Sequence, residues 1–145
     1  LKEKNMKLLF LMILLIDPSA LLGKWTLTFA EANFNLVNSA AFKATPKAQQ
    51  DEILEVNELY LNNAYYEFKK DTVYWADVNA REKEVVFKKG KWMIIGDTLR
   101  IFDYNKIYTY NYLIKLNGRE DELQSRMIFP NGDVARSKET FEKDD

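Results

Sequence analysis

Alternation of apolar and polar positions starts at Lys24. Trp25, Leu27 and Phe29 fall on one side of an extended chain, and Lys24, Thr26 and Thr28 on the other, which is the period of a half-buried strand. The period is then lost over residues 30–44. Phe34, Val37 and Ala41 suit a helix, but Asn33, Asn35, Asn38 and Ser39 favour local side-chain bonds to the backbone that weaken one. Thr45-Pro46 is a helix start, a capping hydroxyl before a proline at the first helical position. Ile53, Val56, Tyr60 and Leu61 then share a face, with Asp51 and Glu52 near the positive end of the helix dipole. The spacing predicts a helix over about 46–63, ending near Asn62-Asn63.

After Ala64 the chain is strand-like and cut by turn signals at short intervals. "AYYEFKK" and "TVYWADV" are parted by Asp71, "REKEVVFKKGKWMII" stops at Gly96-Asp97, and "TLRIF" stops at Asp103. "KIYTYNYLIKL" stops at Asn117-Gly118, "ELQSRMIF" turns at Pro130-Asn131-Gly132-Asp133, and "VARSKETF" runs to an acidic end. Gly90 reads as a hairpin glycine between "EVVFKK" and "KWMII". Short connections imply antiparallel neighbours, because parallel pairing needs long crossovers. The class is therefore mainly β, an up-and-down meander of about eight strands, and closure into a barrel removes its edges.

The N-terminus follows another rule. Lys2, Lys4 and Lys7 precede an unbroken apolar run from Leu8 to Ile16, ended by Asp17-Pro18-Ser19 with a small Ala20 behind. Residues 1–20 read as a secretory signal, too short for the ~20 apolar residues of a bilayer span. Residues 21–145 are then one exported domain, periplasmic or extracellular, of a size that one core serves.

Composition narrows the chemistry further. The chain has no cysteine and no histidine, which excludes disulfides, thiol nucleophiles, Cys/His zinc sites and histidine triads. A net charge of -1 without long basic blocks disfavours nucleic acid. No cofactor is implied: oxygen-rich loops of calcium-binding spacing and glycine-rich phosphate loops are both missing. Aromatic residues make up 14% of the chain, enough to line a cavity.

Gly23-Lys24-Trp25 at the head of the first strand of such a meander resembles the G-x-W motif of lipocalins. The order of "LLGKWTL", a helical insert, "YYEFKKDTVYW" and "GKWMIIGDTLRIF" is similar to small bacterial secreted lipocalin-like proteins, over roughly residues 21–142. The resemblance implies a barrel whose base is plugged by Trp25, with Gly23 in a conformation other residues avoid. It also implies a late arginine packed across that ring, either Arg126 or Arg136. The helix departs from the family, where it follows the barrel, so the family's ligand details do not carry over.

Phe68, Trp75, Phe87 and Trp92 are the rings expected to face inward, as pocket lining or plain core. Tyr108, Tyr110 and Tyr112 share one face, either cavity wall or exterior patch. Glu67 and Asp77 are the candidate acid and base of a carboxylate enzyme, a reading that ranks behind two others. The leading one is a non-catalytic binder of a small apolar or amphipathic ligand, held by Phe68, Trp75, Phe87, Trp92 and Tyr110. Second is a cell-envelope interaction module whose barrel is filled by its own side chains.

Overall fold

The structure is a computed structural model and describes residues 15–119 and 121–145. Most of the signal-like run lies outside the described residues. A 3-10 turn at Pro18–Leu21, capped by the Asp17 carboxylate on the Ser19 N–H, leads into β1 (Gly23–Ala30). Two short helices follow, α1 (Glu31–Asn38) and α2 (Ala40–Lys43), where the sequence has no settled period. Ser39 separates them because its hydroxyl accepts the Phe42 N–H and so opens a new helix. α3 runs Lys47–Asn63, with Pro46 just outside it as the cap residue. Thr45 does not cap it: its hydroxyl donates back to the Ala41 carbonyl, and the Gln50 amide secures the α2–α3 link by donating to Phe42, Lys43 and Thr45 carbonyls.

Seven strands complete the chain: β2 (Tyr65–Phe68), β3 (Thr72–Asn79), β4 (Glu84–Ile95), β5 (Thr98–Asp103), β6 (Tyr108–Asn117), β7 (Glu122–Ile128) and β8 (Glu139–Lys143). Each pairs antiparallel with the next, and β8 returns to β1, so the eight strands form a closed barrel in sequence order. The helices lie between β1 and β2, as the hydrophobic period predicts.

Two local features set which side chains enter the barrel. The pairing of β1 with β8 shifts register between Leu27 and Phe29, a bulge that adds one residue to β1. Phe29 is thereby turned out, 39% exposed, and Ala30 is turned in. The expected run of Trp25, Leu27 and Phe29 on one face therefore ends at Leu27.

The second feature is Gly90, which is no hairpin. β4 passes through it unbroken, pairing Gly90 with Val73 on one side and Asp103 on the other. A Cβ there would lie 2.1 Å from the Phe102 carbonyl oxygen, so the glycine is required by close approach of the β5 backbone. An unbroken strand also fixes parity. Positions 87 and 92 differ by an odd number and cannot face the same way.

The end of the barrel at β1's first residues is solid. Leu21, Trp25, Phe68, Val73, Leu99, Ile101, Leu123 and Phe141 are all buried there or in the adjoining core. Burying each large side chain contributes roughly 1.5–3 kcal/mol. Gly23 has φ +119°, and the Trp25 indole N–H donates to the Leu21 carbonyl at 2.8 Å, satisfying its one polar atom. The ring is covered by Lys143 and by neither Arg126 nor Arg136, which correct the expectation: Arg126 donates to the Arg136 carbonyl instead, and Arg136 is exposed.

Candidate functional site

Above this packed floor the barrel opens into a cavity of about 300 Å³. Its walls come from alternate positions of neighbouring strands, as the period of two requires. Tyr66 and Trp75 stand directly opposite each other on β2 and β3, and Asp77 continues the β3 row. Lys88 lies opposite Trp75 on β4, Tyr110 and Tyr112 come from β6, Ser125 from β7 and Glu139 from β8. The roof is built by the insert. Tyr60 of α3 and Ala32 of α1 close the top, beside Phe129 and Ala135 of the β7–β8 connection.

The roof is fastened to the barrel at several points. The Tyr60 hydroxyl donates to Glu139 Oε1 at 2.5 Å, and the Lys83 ammonium at the β3–β4 turn pairs with Glu55 of α3 at 2.8 Å. The Ala64 carbonyl accepts the Leu27 N–H, and Glu31 exchanges both its backbone N–H and its carboxylate with the Lys138 backbone.

The rings meet mostly edge to face. Tyr66 and Tyr112 centroids are 6.4 Å apart, Trp75 and Tyr110 6.5 Å. Among these groups sit charges. Lys88 Nζ and Asp77 Oδ2 are 3.1 Å apart; the Lys88 side chain is 9% exposed and that of Asp77 47%, so water reaches the pair through the cavity. Burial pulls the Lys88 ammonium down, but the hydrogen bond and charge of Asp77 outweigh it and hold its pKa above the ordinary value. Burial pushes the Glu139 carboxyl up; the Tyr60 hydrogen bond works against that, and the Asp77 charge with it. Burial raises Tyr112 to about 12 and raises Tyr60, Tyr66 and Tyr110 as well, so all four phenols keep their protons at neutral pH.

Of the five side chains expected to hold a ligand, two line this cavity, Trp75 and Tyr110. Phe68 is buried in the floor, 5.1 Å from the Trp92 ring. Trp92 points inward but below the cavity, half-buried, its indole N–H donating to the Lys69 carbonyl at 2.7 Å. Phe87 is a correction: it faces outward opposite Ala76 and is 70% exposed, because the unbroken β4 gives the inside to Lys88 and Trp92. The tyrosine row on β6 is wall, with Tyr108 at the rim and 46% exposed. Glu67 pairs with Lys69 at 3.0 Å and stands opposite Tyr74 rather than beside Asp77, so the proposed acid and base are on opposite faces of the sheet.

Sequence reasoning missed Tyr60, Lys88, Ser125 and Glu139. Two signals were available. Lys88 shares parity with Trp92 once β4 is continuous, and Glu139 shares it with Phe141. Among the described residues no cluster of His, Cys, Asp or Glu is arranged to hold a metal ion, and no helix is long and apolar enough to cross a membrane.

A closed eight-strand meander, plugged by a G-x-W tryptophan at one end and hollow at the other, is a lipocalin-like barrel. The chain is similar to a lipocalin-like protein from Bacteroides uniformis, with 14% identity, 86% of this chain and 99% of that one covered, and a TM-score of 0.45. It is also similar to a mutant of the fluorescent protein UnaG, with 10% identity, 88% and 98% covered, and a TM-score of 0.41. No family profile and no curated protein matches the chain.

Proposed function

We propose that this protein is a non-catalytic binder that holds one small amphipathic molecule in the upper half of its barrel. The observation that carries the reading is the cavity of about 300 Å³, bordered by six aromatic rings with polar groups set among them. That volume is at the lower end for ligand pockets, which favours a compact guest. Apolar area taken from water supplies about 25 cal/mol per Å², and the phenols and the Lys88–Asp77 pair orient a polar end. A barrel filled throughout by its own side chains, the interaction-module reading, fits the floor but not the hollow above it.

Titration with the neutral fluorescent probe N-phenylnaphthylamine tests this. One probe per chain, with quenching of tryptophan emission, is expected, and Ser125→Phe, which fills the cavity from β7, abolishes it. Binding that persists undiminished in Ser125→Phe places the probe elsewhere and counts against the reading.

We also propose that the barrel works outside the cytoplasm, a reading supported by Lys2, Lys4 and Lys7 ahead of the apolar run from Leu8 to Ile16. N-terminal sequencing of the protein from its native host is expected to begin near Leu21. Retention of "MKLLFLM" overturns it.

A further inference from the structure

We infer that the cavity selects an organic cation, a compact molecule whose ammonium group sits against Glu139 among the tyrosine rings while its apolar body lies on Trp75 and Tyr110. The inference rests on the proposed function and names the class of ligand for the same cavity.

The first argument is the charge inside the barrel. The Lys88 ammonium is already engaged by Asp77 at 3.1 Å. Glu139 has no such partner: its carboxylate accepts the Tyr60 hydroxyl, and among the described residues no basic nitrogen lies within ion-pair distance of it. A carboxylate withdrawn from water without a cation is costly, and a cation brought by a ligand offsets that cost. Asp103 adds to the imbalance. It is wholly buried in the wall at the end of β5, with Oδ1 taken by the Asn105 and Lys106 N–H groups and Oδ2 without a partner, and its charge reaches both Lys88 and Tyr110.

The second argument is independent of charge count. Aromatic faces carry negative potential, and rings set around a space form the enclosure in which ammonium groups are bound. Tyr60, Tyr66, Tyr112, Tyr110 and Trp75 all border this cavity. An anionic ligand would meet those faces together with Asp77 and Glu139, and of the two lysines that border the cavity Lys88 is already paired, which leaves Lys138 to receive it.

Calorimetric titration of the full chain with phenylpropylamine, phenylpropanol and phenylpropionate, matched in shape and differing in charge, decides the matter. The amine is expected to bind about tenfold or more tighter than the alcohol, with the carboxylate weakest. Glu139→Gln keeps an acceptor for Tyr60 and is expected to remove the amine's advantage over the alcohol. The ranking in the unaltered protein stands whether or not that variant folds. An alcohol or carboxylate that equals the amine overturns the inference and leaves the binder reading intact, as does an advantage that survives Glu139→Gln. Failure of all three probes and of N-phenylnaphthylamine overturns both.

Discussion

The Lys143 ammonium lies 5.4 Å from the centre of the Trp25 ring, and the two residues are direct partners in the register of β1 against β8. A lysine from the last strand thus takes the place in which the family resemblance puts an arginine. A point charge suffices over a ring face, where no planar fork is needed. Its stem also packs on Gly23, where a Cβ would lie 3.0 Å from Lys143 Cε.

This arrangement ranks three substitutions. Trp25→Ala removes a ring that is 1% exposed and is expected to cost about 3–5 kcal/mol. Gly23→Ala, at φ +119°, is expected to cost about 1–3 kcal/mol. Lys143→Met removes only the cation over the ring and is expected to cost about 1 kcal/mol or less. Urea denaturation orders them, and a Lys143→Met variant as damaged as Trp25→Ala would contradict the account.

Gly90 and Gly118 make a paired test of the continuous β4. Gly90→Ala drives a methyl into the Phe102 carbonyl, whereas nothing lies within 4 Å of the same methyl at Gly118. The first is expected to lose about 3 kcal/mol, the second to stay within about 0.5 kcal/mol of the parent. A hairpin at Gly90 would leave both nearly neutral.

The barrel itself was legible because a period of two and short turns are local signals that survive without tertiary context. Trp25 was legible too, since a glycine, a tryptophan and a strand start fall within three residues. What failed was parity. Phe29 was misplaced by one extra residue at Thr28, and Phe87 by a turn read into Gly90, because a bulge and a tight backbone approach depend on the partner strand. The cavity's charged groups were missed for a related reason. Lys88 and Glu139 look like solvent positions until register carries them inside, and Tyr60 enters only because α3 folds over the open end.

Parity gives a direct test in two phenylalanines. Phe87→Ala removes a ring that is 70% exposed and is expected to change stability by no more than about 0.5 kcal/mol, with probe affinity unaltered. Phe68→Ala opens a void in the floor, where the ring is 1% exposed, and is expected to cost about 3–5 kcal/mol. Comparable losses at both positions would place Phe87 inside after all.

The pH dependence of stability reports on Glu139. Its folded pKa is raised above the ordinary 4.5, by burial first and then by the Asp77 charge, against the opposing Tyr60 hydrogen bond. Tyr66 and Tyr112 also face this carboxyl, and both keep their protons across the acidic and neutral range. Between the ordinary and the raised value the folded chain binds more protons at this site than the unfolded chain. The contribution of Glu139 is therefore most favourable below 4.5, is lost as pH rises through the raised value, and is level above it. Glu139→Gln imitates the protonated form, keeps an acceptor for Tyr60 and cannot titrate. Every other carboxylate titrates in both proteins, so the difference between their urea midpoints across a pH series isolates this one group. That difference is expected to grow in favour of Glu139→Gln as pH rises through the window and then to level off. A difference that does not vary with pH would mean that water, or a cation the barrel already supplies, solvates the carboxylate as well as the unfolded chain does.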